Sequence, residues 1–254
     1  MTEILLLCLF AFFAGLIDAA VGGGGLIQIP ALFNLMPATV PASLFGTNKV
    51  ASVSGTLFAA RSYFKRVKIP WALVLPAAAS AFVMAFVGAA TVSMVPKSVL
   101  KPVVFFLLVV IAVYTLWKKD FGKLHKPVVI GNKEKMIAVL IGGAIGFYDG
   151  LFGPGTGSFL IFLFIRFFAL DFLHASAASK FVNIATNVAA LAFFVPAGYV
   201  LWQVALPMAA ANVFGAVSGT WLAMHKGAGF VRVLFLVLVT LLIMKLGYEI
   251  FFPD

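Results

Sequence analysis

Long apolar runs alternate with short polar breaks along almost the whole chain. The first run, residues 4–36, is too long for one membrane span. Gly22, Gly23, Gly24 and Gly25 divide it into 4–21 and 26–36. Each glycine costs ~1 kcal/mol relative to alanine inside a helix, so a helix is not expected to continue through four of them. At ~1.5 Å per residue the second piece is too short to cross a ~30 Å hydrocarbon core. Apolar segments follow at 43–60, 71–95 and 100–117, separated by a basic loop at 61–68 and a Pro96-Lys97 turn. A polar stretch at 118–135 then divides the chain. Beyond it come 136–148, a break through Gly153-Pro154-Gly155-Thr156-Gly157, and further runs at 158–170, 175–195, 202–224 and 230–252. The pattern predicts an all-α polytopic membrane protein with about eight transmembrane segments.

The second half retraces the first. A shift of 131 residues aligns Gly15 with Gly146, Asp18 with Asp149, Gly22 with Gly153 and Gly24 with Gly155. With no gap, the same shift aligns Lys49 with Lys180, Trp71 with Trp202, Pro76 with Pro207 and Gly88 with Gly219. Chance matches alanines and leucines in so apolar a chain, but not Asp, Lys, Trp and Pro together in order. The chain therefore reads as two tandem membrane repeats, 1–117 and 136–254, joined by a basic cytoplasmic linker at 118–135.

Charge bears on how the repeats face each other. If each broken segment crosses once, the repeats are parallel, with 10 loop Lys/Arg inside and 5 outside. If each turns back at its glycines, the repeats are inverted and the count becomes 13 inside and 2 outside. The positive-inside rule favours inversion, and inverted repeats with discontinuous helices are a recurring transporter plan.

Composition agrees with the pattern. Of 254 residues, 63% are hydrophobic and 10% charged, against roughly 25% charged in soluble domains. The net charge of +10 lies mostly in short loops, which points to lipid headgroups and topology rather than nucleic acid. The first run follows Met1-Thr2-Glu3 without a basic side chain and is expected to remain in the mature protein. Cys8 is the only cysteine, so no intramolecular disulfide forms.

Candidate chemistry gathers at the two breaks. Asp18 and Asp149 precede them in apolar surroundings, where an ionisable group costs ~2.5–3.5 kcal/mol and function is the default hypothesis. Each is a candidate either to couple transport to an ion, proton or sodium, or to cap its turn and support the break. The turns, with Gly22, Gly23, Gly24 and Gly25 in one and Gly153, Gly155, Thr156, Gly157 and Ser158 in the other, open helices whose N-termini attract anions. Close helix packing is the plainer use of glycine. Lys49, with Asn48 beside it, and Lys180 sit early in apolar helices. Ser52 and Thr56 share a face with Lys49, as Asn183 and Asn187 do with Lys180. These stripes read as pathway linings, or as polar contacts between helices. Gln28 adds a donor beside the first break. His125, His174 and His225 lack metal-ligand spacing, so no metal site and no cofactor are expected.

At these residues the chain resembles the sulfite exporter TauE/SafE family, also called TSUP or DUF81 permeases. The resemblance is carried by Gly15-Leu16-Ile17-Asp18-Ala19-Ala20-Val21-Gly22-Gly23-Gly24-Gly25, by Gly46-Thr47-Asn48-Lys49, and by Gly146-Phe147-Tyr148-Asp149-Gly150-Leu151-Phe152-Gly153-Pro154-Gly155-Thr156-Gly157. It covers nearly the whole chain. It implies a multi-pass inner-membrane permease with seven or eight spans and a small anionic substrate such as sulfite, a sulfonate or another organic anion. The expected activity is secondary transport by alternating access around the two breaks. A channel and a membrane-embedded enzyme are the rival readings, and no nucleophile–base pair supports the latter. Substrate, direction and oligomeric state are not encoded in any motif.

Overall fold

In the computed structural model the protein is all-helical among the residues the structure describes, which are 2–92 and 124–251 with Phe106, Val109, Val113, Trp117 and Gly122. Eight helices are described: α1 Thr2–Val21, α2 Gly25–Leu35, α3 Pro41–Phe64, α4 Trp71–Ala90, α5 Asn132–Leu151, α6 Thr156–Phe168, α7 Phe172–Phe194 and α8 Trp202–Phe251. The expected segment at 100–117 and the Pro96-Lys97 turn lie outside the continuously described residues. Among the described residues, four helical stretches, Thr2–Val21, Trp71–Ala90, Phe172–Phe194 and Trp202–Leu241, are long and apolar enough to cross a membrane.

Several boundaries differ from the sequence expectation for identifiable reasons. α5 starts at Asn132, inside the expected 118–135 linker, because the Glu134 carboxylate accepts the Gly131 backbone N–H at 2.9 Å and caps the first turn. α4 stops at Ala90, short of the expected 95, where Thr91 turns its hydroxyl back onto the Val87 and Gly88 carbonyls. The two segments expected at 202–224 and 230–252 form one element, broken only where Gly227 has φ 74°.

Both glycine breaks reverse the chain. Gly22, Gly153 and Gly155 have φ of 72°, 89° and 84°, a region closed to most L side chains. Past the first break α2 runs back along α1: Leu7 and Ala11 share a packed cluster with Ala31 and Leu32. The second hairpin returns to the side it started from. Lys126 N–H, just before α5, donates to the Ala169 carbonyl just after α6, and Val128 N–H donates to the Phe168 carbonyl.

The halves interlock. α1 packs mainly against α8 and α4 against α5, so each half's first helix lies on a helix of the other. Small residues permit the approach. Gly142, Gly146 and Gly150 of α5 face the backbone of Ala77, Ala81 and Ala85 of α4, at matched intervals of four. Gly15 faces Asn212 and Gly219 faces Leu16 across the α1–α8 seam. α3 and α7 run antiparallel. At one end Thr47 accepts the Leu201 N–H at 3.0 Å; at the other, Tyr63 and Ser176 both reach the Ala19 carbonyl.

Candidate functional site

A helix whose end is buried among other helices leaves its last carbonyls unpaired, and each must find a donor in the protein. Four side chains from three other helices supply them at the end of α1. Tyr63 Oη donates to the Ala19 carbonyl at 3.0 Å, and Ser176 Oγ donates to that of Ala20 at 2.8 Å. Ser158 Oγ reaches the carbonyls of Val21 and Gly22 at 3.1 and 2.6 Å. The ammonium of Lys180 donates to the Asp18 carbonyl. At the second break the Tyr148 hydroxyl donates to the Pro154 carbonyl and the Lys49 ammonium to that of Asp149, the latter at 2.8 Å. Tyr63 falls in the expected basic loop at 61–68, which α3 instead enters as far as Phe64, and Ser176 lies in an apolar run, where a hydroxyl reads as neutral.

The two aspartates have matched roles. Asp18 Oδ1 accepts the Gly24 N–H of its own turn at 3.3 Å, while Oδ2 lies 3.0 Å from Lys180 Nζ of the other half. Asp149 Oδ1 accepts the Thr156 hydroxyl of its own turn at 2.7 Å, while Oδ2 lies 2.7 Å from Lys49 Nζ of the other half. Each carboxylate thus supports its break and also neutralises a buried lysine. The matched geometry is not matched in burial. Lys49 and Asp149 side chains are 4% and 3% exposed, whereas Lys180 is 1% and Asp18 22% exposed.

The glycine turns meet. A Cβ on Gly157 would lie 2.5 Å from Gly22 Cα, so the tips touch backbone to backbone. Around them is one small polar cavity. Asp18 and Gly22, Gly23, Gly24 and Gly25 line one side; Asp149, Gly153, Gly155, Thr156 and Gly157 line the other. Asn48, Lys49 and Ser52 enter from α3, and Asn183 and Asn187 from α7. Its free volume of about 20 Å³ holds roughly one water.

Three expected site residues lie off this lining. Ser158 binds α1 carbonyls, Lys180 is taken up by Asp18, and Gln28 sits behind Ser52, whose hydroxyl is 3.4 Å from Gln28 Oε1. Ser52 joins the lining, in keeping with its place on the Lys49 face. Two buried polar atoms here, Gln28 Nε2 and Asn48 Oδ1, have no hydrogen-bond partner among the described residues. Such atoms are costly in a native interior unless a ligand or water meets them.

Comparison with known proteins places the chain in a family. The model of the family described as Sulfite exporter TauE/SafE matches residues 7–246. The chain belongs to the TauE/SafE family. It is similar to a probable membrane transporter protein, ORF9, of Sinorhizobium, with 38% identity over 93% of this chain and 89% of that protein. A probable membrane transporter protein of Haemophilus influenzae is 30% identical over 94% of this chain and 92% of its own length. The probable membrane transporter protein YfcA of Escherichia coli is 30% identical over 94% and 87%. No solved structure matches. As a TauE/SafE member the protein is a multi-pass membrane transporter and not an enzyme.

Proposed function

We propose that this transporter moves a small anion across the inner membrane by alternating access around the two glycine turns. The arrangement of α2 and α6 carries the reading: both helices begin at one polar cavity, with Lys49 in its wall. Helix N-termini present N–H groups and partial positive charge, which together favour an anion where hydrocarbon otherwise excludes it. Sulfite, a sulfonate or a small carboxylate fits this chemistry. Behind the lining, the buried amide nitrogen of Gln28 has no partner among the described residues and becomes a donor for the anion once the hairpins part.

The conformation is occluded in this reading, because a cavity for one water is too small for a four-atom oxyanion. Opening then requires the hairpins to part and the lysines to exchange carboxylate for substrate. We take the halves to be inverted repeats. The antiparallel course of α3 and α7 and the reciprocal ion pairs support that arrangement. In this reading an ion gradient or the substrate's own gradient drives transport, and Asp18 or Asp149 is the candidate to carry a proton.

Purified protein in proteoliposomes tests the proposal. Saturable flux of one member of a panel of sulfur oxyanions, sulfonates and carboxylates, with counter-transport, is expected. Asp18→Asn and Asp149→Asn should change its rate and pH dependence. Flux that does not saturate would instead indicate a channel, and unaltered pH dependence in both variants would remove the proton role.

A further inference from the structure

The sequence disperses its histidines, but the fold brings two of them together away from the cavity. His125 of the linker stacks on His174 of α7, with ring centroids 3.7 Å apart and planes at 21°. Asp171, the N-cap of α7, accepts the His174 backbone N–H at 2.7 Å, and its Oδ1 is 2.8 Å from His174 Nδ1. One ligand atom from each of the three residues lies within 4.8 Å of the other two. Asp171 is buried, His174 half-buried and His125 exposed, which leaves a solvent path to the cluster. The backbone around it is fixed. Phe172 N–H donates to the Gly122 carbonyl at 2.8 Å and Lys126 N–H to that of Ala169 at 3.1 Å.

We propose that His125, Asp171 and His174 form a binding site for a divalent transition-metal ion of the zinc type. Two imidazoles and one carboxylate are a borderline-soft donor set that suits such ions and not magnesium or calcium. Ligand atoms around a tetrahedral zinc lie roughly 3.3 Å apart, from Zn–N and Zn–O bonds of roughly 2.0–2.1 Å. The Asp171–His174 pair is already near that spacing. His125, on an exposed linker, reaches the ion by rotating its ring out of the stack on His174. The ion takes the place of the Nδ1 proton shared between His174 and Asp171, and that proton leaves to solvent. Solvent fills the open coordination positions.

The site's place gives it a consequence. It joins the linker between the halves to the turn that follows the second glycine hairpin, so an ion bound there ties the linker to that hairpin.

Calorimetric titration of Zn²⁺ into full-length detergent-purified protein, carrying a histidine-free tag, tests the proposal. Saturation at one ion per chain is expected, with His225→Ala binding as the unaltered protein does. His125→Ala and Asp171→Asn should each weaken binding roughly tenfold or more. Asparagine keeps the N-cap acceptor, so that variant retains the α7 start. Metal-free melting temperatures matching the unaltered protein show that both variants fold. Co²⁺ in place of Zn²⁺ should give visible absorption that His125→Ala lacks. Zinc affinity within about twofold of the unaltered protein in both folded variants, or no saturation at one ion per chain, overturns the proposal.

Discussion

The ammonium of Lys49, on α3, lies 2.7 Å from the carboxylate of Asp149, at the end of α5, although the two are 100 residues apart and in different halves. Lys180 and Asp18 stand in the same relation with the halves exchanged. Each lysine therefore holds the glycine break of the other half. The pairs act at once as packing and as local neutralisation, since a carboxylate so deeply buried needs a partner.

The first prediction concerns that burial. Lys49→Met should destabilise the protein by about 3–5 kcal/mol, because Asp149 is left as an unpaired buried charge. Lys49→Met combined with Asp149→Asn should recover most of the loss, since the uncharged amide still offers an acceptor to the Thr156 hydroxyl. Thermal unfolding in detergent reads both. A double variant no more stable than Lys49→Met alone would mean that the ion pair is not the source of the effect.

The glycine tips give a second prediction with an internal control. Gly22→Ala forces a side chain into φ 72° and drives its Cβ to 2.6 Å from Gly157 Cα. Gly198→Ala meets φ 75° but nothing within 4 Å. The second substitution should cost about 1 kcal/mol of backbone strain; the first should abolish monodisperse protein in size-exclusion chromatography. Similar yield and melting temperature for both would show that the tips do not need to touch.

A third prediction lies at the α4–α5 seam. Gly146 packs so closely on Ala81 that a Cβ would sit 2.6 Å from its Cα. Gly146→Leu must part the two helices and break the contact between Ser80 Oγ and the Val139 carbonyl, now 2.8 Å. Gly143, whose Cβ position meets only Met84 Cγ at 3.7 Å, should accept alanine with little change. Melting temperatures that fall equally in Gly146→Leu and Gly143→Ala would contradict this packing.

The sequence made the helices and their breaks legible because glycine, proline and span length act locally. Asp18, Asp149 and Lys49 stood out for a related reason: charge in an apolar run is costly wherever the chain folds. Which lysine pairs with which aspartate did not. Nothing local tells that Lys49 meets Asp149 rather than Asp18, or that Lys180 and Ser158 are consumed by α1 carbonyls instead of facing the cavity. The hydroxyls of Tyr63 and Ser176 were equally silent, since their role is set by where α1 ends in space. His125 and His174 are dispersed along the sequence, and their approach depends on the turn after α6 returning to the linker.

That return underlies the last prediction. Lys126 and Val128 bond to Ala169 and Phe168, so α5 and α6 begin and end on the linker side. From there α7 carries the chain away, and the loop at its far end meets α3 near its start, where Leu201 N–H reaches Thr47. Ala38 and Ala197, both exposed, should therefore face one side of the membrane and exposed Val129 the other. In a Cys8→Ser background, Ala38→Cys and Ala197→Cys should react with an impermeant maleimide added outside intact cells. Val129→Cys should react only after permeabilisation, as the positive-inside rule requires of the basic linker. A parallel arrangement of the halves instead places position 197 with position 129. Labelling of Ala197→Cys and Val129→Cys from the same side would therefore exclude the inverted arrangement, whatever the transported anion proves to be.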